Sequence, residues 1–271
     1  MSLITITHNL GSGGLHIARQ VAEDLNIELY DDNRLQKEAL EMGVRSEDLI
    51  SLDEKAPGLF DRILSRKPDM YLDIMEAVIY KVSQRGQGVI LGHGGPMLLR
   101  DFGCALHVSI YASEAQRIAD LMKEQNLSQK SAELLIRKSD NEHNGFFKFA
   151  FQKDLNDPSL YDLIINMEKI GTKVAAKLIT EMANTEAIRS CGPYALDAME
   201  RLSQTKKVES ELWRNAINPA KMHIVVPEKG KLHITGLCAS DEEKDLILRV
   251  IRNIPEIEDI QAEIVVAAYS Y

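Results

Sequence analysis

The stretch from Leu3 to Leu25 constrains the fold more than any other. Leu3-Ile4-Thr5-Ile6 is short, apolar and β-branched, and Gly11-Ser12-Gly13-Gly14 follows it almost at once. Ile17, Ala18, Val21, Ala22 and Leu25 then recur at helical spacing. A strand, a glycine turn and a helix in that order let main-chain N–H groups curl around an anion that the positive helix end also attracts. The glycines alone leave several readings open. A G-x-G-x-x-G turn is met by Gly11 and Gly13, but His16 takes its sixth position; Asp31 or Asp32, after the next strand, would then hold a ribose. A G-x-x-x-x-G-K-[ST] loop aligned on Gly13 puts His8 first, Gly14 at the lysine and Leu15 at the hydroxyl. A tight turn with no ligand is the third reading.

The rest of the first 190 residues alternates in the same way. Ile27–Tyr30, Gly88–Leu91, Ala105–Tyr111 and Leu163–Ile165 read as strands, and residues 33–85 as mostly helical. Ser113 and Ser128 are placed to cap helices, and a last helix spans about 171–188. Near-continuous apolar strands between helices predict an α/β domain with a parallel sheet covered on both faces. Ligands of such sheets bind beyond the carboxyl ends of the strands, here loops 8–14, 31–34, 92–96 and 112–117.

Ser190-Cys191-Gly192-Pro193 reads as a linker, and the pattern changes after it. A helix over 195–215, a hairpin of 222–226 and 231–236 around Pro227–Gly230, a helix capped by Asp241 and a strand over 261–267 give the order αββαβ. Two domains are expected, 1–190 and 195–271, the second a small α+β module for docking rather than catalysis. With 32 basic and 41 acidic side chains the net charge is −9, which disfavours nucleic acid as a partner. The N-terminus reads as a strand and not a signal peptide, and cytoplasmic location is expected. Cys104, Cys191 and Cys238 are widely spaced and read as isolated thiols.

The first 185 residues resemble the cytidylate-kinase-like family, a lysine-free branch of the P-loop nucleoside monophosphate kinases. The likeness rests on Ile4–Thr7, Gly11-Ser12-Gly13-Gly14, Ile17-Ala18 and Tyr30-Asp31, then on Val89–Gly94, Arg117-Ile118 and Arg137-x-x-Asp140. It ends with Asp157-Pro158-x-Leu160-Tyr161-Asp162-Leu163 through Asn166. The resemblance implies ATP with Mg²⁺ and transfer of the γ-phosphoryl group to a cytidylate-like acceptor. Gly11, Ser12, Gly13, Gly14, His8, His93 and Asp31 would bind the nucleotide or its phosphates. Arg117 and Arg137 would clamp the moving group, and Asp140 would orient the lid. The family usually places arginine where this chain has His8, Leu15, Asp32, His93 and His143, and tyrosine at Phe146. Phosphoryl transfer depends on positive charge around the moving group, and an arginine finger is worth about 10³–10⁵ in rate. The expected function is therefore a nucleotide- or phosphate-binding protein with impaired catalysis. The alternatives are an active ATP-dependent kinase and a ligand-free oligomeric scaffold.

Residues 200–271 resemble a BON domain, carried by the hairpin Ile224–Val226 and Leu232–Gly236, by Ala239–Glu243, and by Ile254–Ile260 with Ile264–Val266. Pro255 stands where that family commonly has glycine. This likeness implies a protein or lipid partner. The remaining signals read blandly. The seven histidines lack metal-binding spacing, so no metal site is expected beside Mg²⁺. Phe146, Phe147, Phe149 and Phe151 read as helix packing or a homo-oligomer face, and Lys206, Lys207, Lys229 and Lys231 as solvated surface.

Overall fold

The computed structural model describes residues 2–48, 68–186, 188 and 191–267. The chain divides into two compact units, one of residues 1–66 and 85–192, the other of 67–84 and 193–271. In this division the helix at 68–83 groups with the second unit.

The first unit is built on a five-stranded parallel sheet. Its strands are β1 (Leu3–His8), β2 (Leu29–Tyr30), β3 (Gly88–Leu91), β4 (Ala105–Tyr111) and β5 (Leu163–Asn166), in the order β2-β3-β1-β4-β5. β1 lies at the centre, with Thr5 level with Ile90 on one side and His107 on the other. Helix α1 (Gly14–Leu25) buries Ile17, Ala18, Val21 and Ala22, which is why their spacing was visible in the sequence. They pack on Ile4, Ile6, Val89 and Val108, beside Ala175, Ala176 and Ile179 of helix α7 (Thr172–Ala183). Alanines on α7 let it approach closely. On the opposite face Thr5 Oγ1 meets His107 Nδ1 at 2.8 Å, which gives two buried polar groups a partner.

Helix α2 (Asp32–Glu41) follows β2, and the short α4 (Gly95–Leu98) follows β3. Between β4 and β5 stand α5 (Glu114–Gln125) and the long α6 (Gln129–Phe151). Ser113 and Ser128 cap these two helices by accepting from the Gln116 and Ser131 amides, as their positions predicted. Phe146 and Phe147 are buried and meet each other edge to face.

The second unit joins α3 (Pro68–Ser83) to α8 (Pro193–Arg214), β6 (Met222–Glu228), β7 (Lys231–Cys238), α9 (Asp241–Arg252) and β8 (Asp259–Val266). From α8 onward the order is αββαβ, with β6 antiparallel and β8 parallel to the central β7. Val208, Leu212, Ile224, Ile234, Ile247 and Ile251 form its core. The cap of α9 is Ser240, which accepts from the Glu243 amide, and not Asp241. Both residue types cap well, and Asp241 instead sits in the first turn with Glu242 and Glu243, where the helix dipole favours acids.

Two sequence expectations are corrected here. Cys104 and Cys191 are not isolated thiols: they are disulfide-bonded, with α-carbons 4.8 Å apart. Their separation of 87 residues concealed a meeting at the end of the sheet where Cys104 precedes β4. Lys206 and Lys207 are not solvated surface: Lys206 bonds Asp73, Glu76 and Glu209, and Lys207 bonds Glu256. Lys229 and Lys231 are exposed, as expected, and pair with Glu200 and Glu228.

Candidate functional site

The carboxyl ends of the strands carry the candidate site. β1 ends at His8, and the chain turns through Gly11 and Gly13, both with positive φ (81° and 77°), before α1 begins at Gly14. Glycine adopts that backbone without strain. Gly13 is the cap of α1, and no side chain hydrogen-bonds to the first turn. The first-turn amides of a helix have no partner within it. Here they are left to whatever enters the loop. Ser12 is buried, and its Oγ donates to the Asn9 carbonyl at 2.8 Å, so it braces the turn from within.

The loop tolerates little change. A Cβ on Gly11 would lie 2.8 Å from the Arg117 carbonyl oxygen, so α5 abuts the turn. A Cβ on Gly14 would fall 2.3 Å from His8 Cγ. The imidazole of His8 therefore covers the α-carbon from which the lysine of a G-x-x-x-x-G-K-[ST] loop would project. The sequence placed His8 and Gly14 at related motif positions but gave no sign of this contact.

The two arginines expected at the moving phosphoryl group are both engaged. Arg117 is buried and forms a bidentate pair with Asp140, at 2.9 and 2.7 Å. Asp140 also accepts from Asn9 Nδ2 at 3.2 Å, and Arg117 donates to the Leu10 carbonyl at 3.4 Å. The pair thus links α5 and α6 to the glycine turn. Arg137 stands elsewhere: it is exposed and pairs with Glu114 at 3.1 Å. The Arg137-x-x-Asp140 spacing does not put both side chains at one point.

Beyond β2, Asp31 caps α2, its Oδ1 accepting from the Arg34 amide at 3.0 Å. His93 follows β3 with φ 54° and is buried against Asp32, Nε2 to Oδ1 at 2.8 Å. Gly94 packs against the ring of Phe151, 2.3 Å from where a Cβ would stand. Arg34 is held by Glu28 and Glu38, and Arg85 by Glu38 and Tyr30.

A cavity of about 510 Å³ opens beside the turn. Gly11, Ser12 and Gly13 form one wall, Gln116 and Asp120 of α5 a second, and Met167 to Thr172 a third. The loop after β5 was missed in the sequence, although the carboxyl-end rule that selected the other four loops includes it. Its Glu168 accepts from the Ser113 amide at 3.0 Å, and that bond holds its carboxyl below the ordinary range. Met167 and Ile170 add apolar surface, and Asp120 and Glu124 add acceptors.

A magnesium site of the usual kind does not fit the loop. Leu15 offers no oxygen, Ser12 Oγ is turned to Asn9, and Asp140 is occupied by Arg117. Among the described residues no group of three His, Cys, Asp or Glu side chains is placed to hold a metal ion. No described helix is long and apolar enough to cross a membrane.

Comparison with known proteins places the fold of the first unit. The chain is 25% identical over 184 residues to a cytidylate kinase of Sulfurisphaera tokodaii, covering 67% of this chain and 95% of that one. An uncharacterized protein from Eubacterium ventriosum has a similar structure, with a TM-score of 0.54 at 22% identity, over 68% of this chain and 98% of that one. A shikimate kinase from Acinetobacter baumannii aligns at 12% identity and a TM-score of 0.41, over 67% of this chain and 92% of that one. Residues 3–169 match the sequence model of the Cytidylate kinase-like family, and the chain belongs to that family.

Proposed function

We propose that this protein binds a nucleotide at the glycine turn and transfers its phosphoryl group poorly or not at all. The observation that carries the reading is the pairing of an open main-chain cradle with spent side-chain cations. The uncapped start of α1 and the glycine amides offer donors to an anionic phosphate, and the adjoining cavity suits a flat base. The carboxylates of Asp120 and Glu124 are acceptors, so a base bearing an amino group fits better than one presenting only carbonyls. Arg117 is neutralised by Asp140 and Arg137 by Glu114, which supports impaired transfer. His8 and His93 stand beside the strand ends where the family has arginine, and His93 is bonded to Asp32.

The αββαβ order of residues 193–266 supports a BON-like docking module. With Lys206, Lys207, Lys229 and Lys231 all ion-paired, a protein partner fits it better than an anionic membrane. The test of the main reading is isothermal titration with ATP, CMP and dCMP, with and without Mg²⁺, beside an assay of ADP release. Binding of at least one nucleotide with ADP release at background is expected. Rapid turnover would refute the impairment, and absence of binding by all three would refute the reading.

A further inference from the structure

Helix α7 turns one face into the core of the first unit and leaves a second apolar band outside it. Ala175, Ala176, Ile179 and Ala183 are buried. Val174, Leu178 and Met182 recur four residues apart and are 55%, 41% and 37% exposed. That spacing sets the three on one side of the helix as a continuous strip. Among the described residues no other helix carries more than two exposed large apolar side chains.

One flank of the strip is charged. Lys173, Lys177 and Glu181 are also four residues apart, and all three are exposed. Within the helix Lys177 Nζ lies 3.8 Å from Glu181 Oε1. So open a pair contributes little and is readily exchanged for another partner.

We propose that this strip is the contact face of a homodimer, a second copy of the chain lying antiparallel across α7. The two-fold axis passes at Leu178, which meets the partner's Leu178. Val174 then lies level with the partner's Met182, and the same contact repeats on the other side of the axis. An antiparallel two-fold also brings the same flank of both helices together. The partner's Glu181 falls level with position 175, midway between Lys173 and Lys177. At 1.5 Å per residue it stands about 3 Å along the axis from each. The charge pattern of the flank is therefore complementary to itself. A parallel pairing sets the charged flanks on opposite sides and forms neither contact.

A standard interface buries about 800 Å² per partner, and three side chains with their charged neighbours fall short of that. The dimer is accordingly weak and forms at high micromolar concentration. It uses no residue of the glycine turn, so it is independent of whether a nucleotide binds.

Sedimentation velocity of the full chain between about 5 and about 500 µM tests the contact. The weight-average mass should rise with concentration toward twice that of the monomer. Leu178→Glu sets two carboxylates against each other at the axis and should weaken association by about tenfold or more, with the circular dichroism unchanged. Glu181→Lys leaves only cations on the flank and should weaken it by about threefold or more. Adding Lys173→Glu and Lys177→Glu to Glu181→Lys inverts the whole pattern and should restore the parent's association. A chain that stays monomeric throughout the range would overturn the proposal. So would Leu178→Glu associating like the parent, or a triple variant no stronger than Glu181→Lys.

Discussion

Asp140→Asn is the most informative single substitution, because it removes one charge and leaves the shape. Arg117 is only 6% exposed, so its guanidinium depends on Asp140 for compensation. The change weakens two charge-assisted hydrogen bonds and the one from Asn9, and places an amide donor against the guanidinium. Breaking a buried pair costs about 3–5 kcal/mol, and hydrogen bonds to charged groups about 1.5–3 kcal/mol each. The Asp140 side chain is 24% exposed, so water relieves part of this, and about 2–3 kcal/mol is expected. In a unit of this size each kcal/mol moves the midpoint by about 2–4 °C, so a fall of roughly 5–10 °C should appear. Calorimetry measures it, and the fluorescence of Trp213, which belongs to the second unit, serves as the internal control. Arg117→Leu combined with Asp140→Leu should recover most of the loss, since neither charge is left alone. A single variant within about 1 kcal/mol of the parent would refute the argument. So would a double variant as unstable as the single one.

Four other perturbations follow from the same contacts. Gly14→Ala places a methyl group 2.3 Å from His8 Cγ, so the imidazole must move; nucleotide affinity by titration should fall by about tenfold or more. Arg137→Ala removes an exposed pair, so stability in urea should change by less than about 0.5 kcal/mol and nucleotide affinity should stay the same. Burial pushes the Asp73 carboxyl up to about 7, with Glu209 adding to the rise and Lys206 opposing it. A folded pKa above the unfolded one means that this group favours the folded state while protonated. Stability of the second unit by Trp213 unfolding should therefore drop as pH rises from about 4 to 7, by on the order of 2–4 kcal/mol; Asp73→Asn should flatten the profile. Reduction of Cys104–Cys191 frees a loop spanning 87 residues, and chain entropy sets the loss of stability of the first unit, by denaturant titration, at about 4–5 kcal/mol.

The first unit was legible in the sequence because its signals are local. Strands buried on both faces read as unbroken apolar runs, as in Gly88–Leu91, and Ser113 and Ser128 announce helix starts by side-chain chemistry alone. What the sequence concealed depends on distance through space. Helix α3 has the apolar content of any buried helix, and nothing in Pro68–Ser83 tells which unit will cover it. Cys104 and Cys191 look unrelated until β4 and the end of α7 bring them together. Arg117, Arg137 and Asp140 were site candidates in the sequence, but their pairing was not visible there. A guanidinium facing a carboxylate and one facing a phosphate are written with the same letter.

That pairing bears on the proposed separation of binding from catalysis. Groups accelerate transfer only where they meet the charge that develops in the transition state more strongly than the charge of the bound substrate. Main-chain amides that already hold a phosphate in the ground state bind it without that difference, and paired arginines do not supply it. Arg34, Arg85, Arg117 and Arg137 all have carboxylate partners inside the first unit. Freeing Arg117 or Arg137 for a ligand would strand a carboxylate, whereas the buried Glu38 is held by both Arg34 and Arg85. On the proposed reading, a lysine installed at position 14 would not raise transfer by itself, because His8 fills its path and Arg117 would remain with Asp140. The cradle and the clamps are separable parts of the fold, and only the cradle stands unopposed.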